Sequence, residues 1–142
     1  MDTKTIHVEI VTPYELFFNG EVTQIVLTAI DGEIGIRPGH TPAIIGLNPG
    51  EIRMTSKNNE LYVAASDGYA DIHDDTAIVV VGSAEWPEQI DLGRAVLALE
   101  RAQERLLAAD RTEEMSARAK RAVLRAKARI KVAERTGKPK EM

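Results

Sequence analysis

Seven arginines in the C-terminal part of the chain are the residues best suited to chemistry. Arg94, Arg101 and Arg105 are spaced seven and four apart, and Arg118, Arg121, Arg125 and Arg129 follow at steps of three and four. On a helix such spacings share one face, so each set forms a line of guanidinium groups. Guanidinium keeps its charge when desolvated and presents paired N–H donors that match phosphate oxygens. Two facing lines would therefore make an anion site. Asp91, at the head of the first line, could accept a hydrogen bond from an amine on the same ligand. The alternative left open by the residues alone is a solvated charged face, partly paired by Glu100, Glu104 and Glu134.

Other candidate sites are weaker. Gly32-Glu33-Ile34-Gly35-Ile36-Arg37-Pro38-Gly39-His40-Thr41-Pro42 is rich in glycine, but it matches neither a P-loop nor a dinucleotide fingerprint. It is expected to be turn geometry stiffened by Pro38 and Pro42, with an exposed tip able to dock a partner. His7, His40 and His73 have no helical pairing that would preform a metal site. Asp74-Asp75 is expected to be a solvated turn, and no serine lies in a nucleophile elbow. No enzyme is expected from these residues.

The chain has 142 residues and no cysteine, which excludes disulfides, zinc–thiolate sites and thiol nucleophiles. Met1–Thr5 shows no basic stretch leading into an apolar core, so no secretory signal is expected. Ala77–Val81 is the longest purely apolar run, far short of the ~20 residues that span a bilayer. Membrane association would have to come through a partner. The overall charge of −4 hides a division: residues 1–90 hold 14 acids and 4 bases, net −10, and residues 91–142 hold 8 acids and 14 bases, net +6. Opposite signs on one short chain indicate two modules with different partners. Nucleic acid is not expected to be among them, because residues 91–142 contain no Phe, Tyr or Trp on which bases could stack.

The elements that must carry these residues follow from periodicity. His7–Val11 and Glu21–Leu27 alternate as half-buried strands, and Leu61–Ala64 and Ala77–Val81 are short β-branched or aromatic runs. Asn19-Gly20 is expected to make a tight primed hairpin turn, with Lys57-Asn58-Asn59 and Asp67-Gly68 similar and Asn48-Pro49-Gly50 another turn. Short strands at such intervals predict a sandwich or barrel. Pro87 ends strand pairing within Ser83–Ile90, and a helical period begins at Asp91, a natural N-cap. Two helices are predicted, about 91–109 and 113–134, folded as an antiparallel hairpin with a break at Asp110–Glu113. Leu92, Val96, Leu99, Ala102 and Leu106 form one stripe, and Met115, Ala119, Ala122, Ala126 and Ala133 a weaker one. A mostly alanine stripe gains little on burial, so the hairpin is expected to be loosely held and suited to opening. Gly93 in the first turn costs ~1 kcal/mol relative to alanine. The domains expected are a β-sandwich at 1–85, a linker at 86–90, a helical hairpin at 91–136 and a frayed tail at 137–142.

The order Gly-Glu-Ile-Gly-Ile…Pro-Gly-His-x-Pro, then Pro49-Gly50-Glu51-Ile52-Arg53 and Asp67-Gly68-Tyr69, resembles the epsilon subunit of bacterial F-type ATP synthases over essentially the whole chain. The resemblance implies an α+β protein: an N-terminal ten-stranded β-sandwich followed by a C-terminal antiparallel two-helix hairpin. It implies a non-catalytic central-stalk subunit that couples the c-ring to the gamma subunit, with the loop of Glu33, His40, Thr41 and Pro42 facing the ring. Family members that bind ATP carry Ile/Leu-Asp-x-x-Arg-Ala, which stands here as Ile90-Asp91-Leu92-Gly93-Arg94-Ala95. By the same resemblance Glu85, Ile90, Asp91, Arg94, Ala95, Arg101, Arg125 and Arg129 are the ATP-binding residues, while Arg105, Arg111, Arg118 and Arg121 stay assigned to a solvated face. ATP would be a regulatory ligand, with or without Mg2+, and no prosthetic group is implied. Without ATP the second helix would extend along gamma, meet the alpha and beta subunits and block hydrolysis. The location implied is the cytoplasmic face of the bacterial cell membrane, peripheral, as part of the complex. The rival expectation is a purely structural coupling subunit whose hairpin ignores nucleotide.

Overall fold

The computed structural model describes residues 4–108 and 112–135. Ile6, Val8 and Ile10 alternate with polar residues, so β1 (Ile6–Val11) buries one face completely. The same logic generates β2 (Leu16–Val22), β3 (Gln24–Ala29), β4 (Gly32–Ile36), β5 (Ala43–Leu47), β6 (Gly50–Ser56), β7 (Asn59–Ala65), β8 (Gly68–His73), β9 (Thr76–Val81) and the short β10 (Ala84–Glu85). They form one ten-stranded sheet in the order β10-β7-β6-β3-β5-β8-β9-β1-β2, with β4 added on β3. β1 and β9 are parallel, and the other pairs are antiparallel. β3 switches partner along its length, pairing Gln24–Val26 with β6 and Ala29 with Leu47 of β5, and so carries the sheet from one layer to the other. Ile25, Leu27, Ile36, Met54, Val63, Ile72 and Val79 fill the space between the layers of this β-sandwich.

Three turn expectations are corrected. Asn19-Gly20 lies inside β2, opposite Glu9 and Val8, and the reversal is made instead at Thr12–Glu15. There Thr12 N donates to Glu15 O at 3.0 Å and Tyr14 N to Thr12 Oγ1 at 3.2 Å. Gly20 serves packing: a Cβ there would stand 3.1 Å from the Phe18 ring. Asp67-Gly68 is likewise no tight hairpin turn, since Gly68 already pairs with Leu47 and Val81, and a Cβ would strike the Val80 carbonyl. The glycine run is mostly strand: Gly32–Ile36 is β4, and the turn follows at Arg37–His40, with Gly39 at φ 86.

The join is ordered. Glu85 of β10 sits opposite Ala64 of β7, and Trp86 stacks on Phe17 at 4.7 Å between ring centroids. A single 3-10 turn, Pro87–Gln89, then redirects the chain. Asp91 caps α1 (Leu92–Leu107) by accepting from Arg94 N at 3.1 Å. Thr112 caps α2 (Glu113–Ala133) by accepting from Met115 N at 3.1 Å. The rest of the expected break at Asp110-Arg111, residue 136 and the expected tail at 137–142 lie outside the described residues.

The hairpin stripes need revision. Ala95, Ala102, Ala119 and Ala126 are buried, whereas Leu92, Val96 and Met115 are exposed. The helices meet through their smallest side chains, which lets the backbones approach closely. α2 also has a second contact face, lying against β6 and β7, where the hairpin closes over the sandwich. Val123 and Val132, absent from the expected stripe, are buried as well, Val132 completely.

Candidate anion-binding site between the helices and the sandwich

A cleft of about 510 Å³ opens where α1, α2 and the end of the sandwich meet. Its floor is small because Ala98 of α1 and Ala122 and Ala126 of α2 line it, and Ser83 and Glu85 close one side. Around that floor stand Arg101 and Arg105 from α1 and Arg125 and Arg129 from α2. Each helix thus contributes an i,i+4 pair from one face.

Charge is unevenly satisfied. Arg129 Nε donates to Glu85 Oε1 at 2.8 Å and its terminal nitrogen to Oε2 at 3.3 Å, a two-pronged pair that is half-buried. Arg101, Arg105 and Arg125 have no carboxylate partner among the described residues. The cleft therefore holds three guanidinium groups beyond what Glu85 balances. Such a donor set fits an anion with several oxygens, and the volume accommodates a nucleotide-sized ligand.

Of the expected ATP-binding residues, Glu85, Arg101, Arg125 and Arg129 are brought together here. Ile90, Asp91, Arg94 and Ala95 are not among the cleft's lining residues. Arg94 precedes Arg101 by seven residues, about 10 Å along the helix axis. Asp91 Oδ1 accepts the cap bond and Oδ2 lies 3.7 Å from Arg94 Nε, while the carboxylate stays 61% exposed. Ala95 is fully buried in the hairpin, and Ile90 ends the 3-10 turn. Conversely, Arg105, assigned to a solvated face, lines the cleft, as does Ser83. The signal for Arg105 was its i,i+4 relation to Arg101.

The expected docking loop divides. Glu33 lies near the start of β4, beside the β3 end that meets Leu47, and Arg53 holds it in two hydrogen bonds of 2.9 and 3.2 Å. That guanidinium keeps the Glu33 carboxyl below its ordinary pKa. His40, Thr41 and Pro42 lie beyond the other end of β4. There Asp75 accepts from Gly39 N at 2.7 Å, and His40 Nδ1 is 2.7 Å from Thr41 O. Asp74 and Asp75, expected to be only a solvated turn, both hold positive φ, and this turn braces the His40 loop. Among the described residues no three His, Asp or Glu side chains group as for a metal, and no helix is long and apolar enough to cross a membrane.

Fold and cleft together define the class: a β-sandwich carrying an arginine-lined helical hairpin. Residues 5–87 match the family described as ATP synthase, Delta/Epsilon chain, beta-sandwich domain. The chain is 36% identical over 131 residues to the ATP synthase epsilon chain of Caldanaerobacter subterraneus, covering 92% of this chain and 94% of that one. The epsilon chain of Staphylococcus haemolyticus is also 36% identical over 131 residues, with 92% and 97% covered. Among solved structures, a chain of the Euglena gracilis mitochondrial ATP synthase, in an assembly of OSCP, F1 and c-ring, shares the fold with a TM-score of 0.77 at 20% identity, covering 92% and 81%. The chain belongs to the epsilon subunits of F-type ATP synthases.

Proposed function

We propose that this protein is a central-stalk subunit that couples the c-ring to gamma and restrains ATP hydrolysis through a hairpin responsive to ATP. The cleft carries this reading: Arg101, Arg105, Arg125 and Arg129 converge from both helices onto one space beside Glu85. A polyphosphate there would neutralise charge on α1 and α2 together and so favour the docked hairpin. When bound, ATP supplies no chemistry, only charge and shape, and it shifts the hairpin by its differential affinity for the docked form. At 100 times Kd that shift is ~2.7 kcal/mol.

The docked hairpin leaves Leu97, Leu107 and Leu124 exposed along with Leu92, Val96 and Met115, while alanines fill its interior. Such a distribution suits a pair of helices with a second set of contacts, here assigned to gamma and the alpha and beta subunits in an extended state. The His40–Pro42 loop, braced by Asp75, is assigned to the c-ring, and the subunit is read as peripheral at the cytoplasmic face of the membrane. The subunit itself is read as non-catalytic.

Calorimetric titration with ATP and ADP tests the sensor. Saturable ATP binding, weaker for ADP and lost in Arg125→Ala but kept in Arg94→Ala, supports the cleft as described. Loss in both variants would restore the wider residue set of the family motif. No binding up to millimolar ATP would leave the structural coupling role and remove the sensor.

A further inference from the structure

The most completely buried carboxylate among the described ion pairs is not in the cleft. Glu51 lies on β6, and its side chain is 2% exposed. Its neighbours Ile52 and Met54 bracket the inner core, so by alternation Glu51 and Arg53 belong to the other face of the sheet. A carboxylate there is buried because α2 lies over β6 and β7. Arg135, just past the end of α2, reaches it with Nε at 3.0 Å from Oε2 and a terminal nitrogen at 3.1 Å from Oε1. The same guanidinium sits 4.2 Å over the centroid of the Tyr62 ring. Lys131 Nζ adds a contact at 3.5 Å, and Arg53 approaches from below at 3.3 Å while gripping Glu33. The small Ala64 stands opposite Glu51 in the ladder, and Tyr62 stands opposite Arg53, which leaves a notch walled by an aromatic ring and floored by a carboxylate. These are the elements of a guanidinium receptor: a planar acceptor pair, a π face and shielding from water.

We propose that Glu51 and Tyr62 form an arginine receptor on the sandwich that latches the end of α2, separately from the anion cleft. The asymmetry of the buried charge makes the latch specific to docking. With α2 in place but Arg135 removed, Glu51 would lose its two-pronged partner and keep only the longer Lys131 contact and Arg53, which is already shared with Glu33. With α2 departed, Glu51 returns to water and needs no partner. Loss of Arg135 therefore penalises the docked state alone and leaves the folding of the sandwich untouched. The latch holds whether or not the cleft binds nucleotide. Hydrogen bonding to Glu51 first, and its charge after that, holds the Arg135 guanidinium above its ordinary pKa, in keeping with a committed pair.

The absence of cysteine in the sequence makes the test direct. Spin labels at Glu60→Cys on β7 and Lys127→Cys on α2 report the separation of helix and sandwich in the full-length chain without nucleotide. In the parent chain one short-distance population is expected. Arg135→Ala should raise the long-distance population by ~10-fold relative to the short one, since hydrogen bonds to charged groups of this kind are individually strong. Arg135→Lys, which keeps charge but loses the fork and the ring contact, should lie between them. Glu51→Gln combined with Arg135→Ala should undock no further than Arg135→Ala alone and should recover part of the short-distance population, because the buried charge is gone. Amide exchange of the β-core should match the parent in Arg135→Ala, which separates undocking from unfolding. An unchanged distance distribution in Arg135→Ala, or full additivity of the two substitutions, overturns the latch. Neither result bears on ATP binding, which is measured separately.

Discussion

Replacing Glu85 by glutamine tests whether the cleft is held together by its own ion pair when no anion is added. Glu85 and Arg129 are equally exposed, at 29% of each side chain, and are joined by two hydrogen bonds of 2.8 and 3.3 Å. At an effective dielectric of about 20, two unit charges about 4 Å apart attract by ~4 kcal/mol before desolvation and ordering are charged against them. Fully exposed pairs keep ~0.2–1 kcal/mol of that, and hydrogen bonds to charged groups keep ~1.5–3 kcal/mol. A two-pronged pair less than one-third exposed belongs between these limits, at about 1–2 kcal/mol, equivalent to a ~5–30-fold change in the docking equilibrium.

Hydrogen exchange at the α2 amides from Arg125 to Val132 is the assay. Glu85→Gln should accelerate exchange there by that factor and leave the β-core unchanged. Added tripolyphosphate should restore protection in Glu85→Gln, because Arg129 and the unpaired Arg101, Arg105 and Arg125 remain to bind it. In Arg129→Ala the starting loss should be similar and the restoration smaller. Unchanged exchange in Glu85→Gln would refute the idea that this pair holds the hairpin. Equal restoration in both variants would refute the role of Arg129 in receiving the anion.

Two further predictions concern other elements. His7 Nδ1 lies 2.6 Å from Glu21 Oε2, which raises the His7 pKa from 6.5 and lowers that of Glu21, chiefly through that hydrogen bond in each case. A raised histidine pKa contributes stability that is complete below pH 6.5 and is lost as pH rises through the folded value. The melting temperature should therefore fall as pH rises above 6.5 through the raised folded-state value, and the same scan of His7→Gln should lack that component. Gly93→Ala should stabilise α1 by ~0.5–1 kcal/mol, read as raised protection of the first turn. The added methyl would meet only Asp91 Oδ1 at an ordinary 3.5 Å, so a loss of protection would contradict the view that Gly93 is merely tolerated.

Much of the architecture was legible because it depends on local period. The strand-to-helix change at Pro87 and the Asp91 cap come from residues within a few positions of one another. The misread glycines show where that logic fails. Gly20 and Gly68 carry turn-like neighbours, yet both lie in strands: Gly20 sits beside the Phe18 ring on the same strand face, and Gly68 is required by the Val80 carbonyl of the adjacent strand. No short window of sequence contains the Val80 contact, and the Phe18 contact counts only once both residues are known to share one face of β2. The cleft was half legible for a related reason. Arg101, Arg105, Arg125 and Arg129 share helical faces by count, but only the way the helices pack decides that Arg94 falls outside and Arg105 inside. Glu51 gave no signal, because an acid in a half-exposed strand looks the same whether water or a helix covers it.

The packing of the hairpin explains why such ionic contacts can govern it. Its buried interior is mainly alanine: Ala95 and Ala102 on α1, and Ala119, Ala126, Ala128 and Ala133 on α2, with Val123 and Val132 the larger exceptions. A buried leucine or valine contributes ~1.5–3 kcal/mol and an alanine methyl far less, so apolar burial alone leaves the docked state weakly favoured. Against that small sum, about 1–2 kcal/mol from Arg129–Glu85, or the ~2.7 kcal/mol that an anion at 100 times Kd would add, would be decisive in a way it would not be for a leucine-packed pair. The division of charge along the chain has the same consequence. An acidic sandwich and a basic hairpin attract without needing a large interface, and salt should weaken that attraction where the pairs remain exposed. On the proposed reading, small side chains and opposite charges would make the docked hairpin a state whose population follows the ions around it.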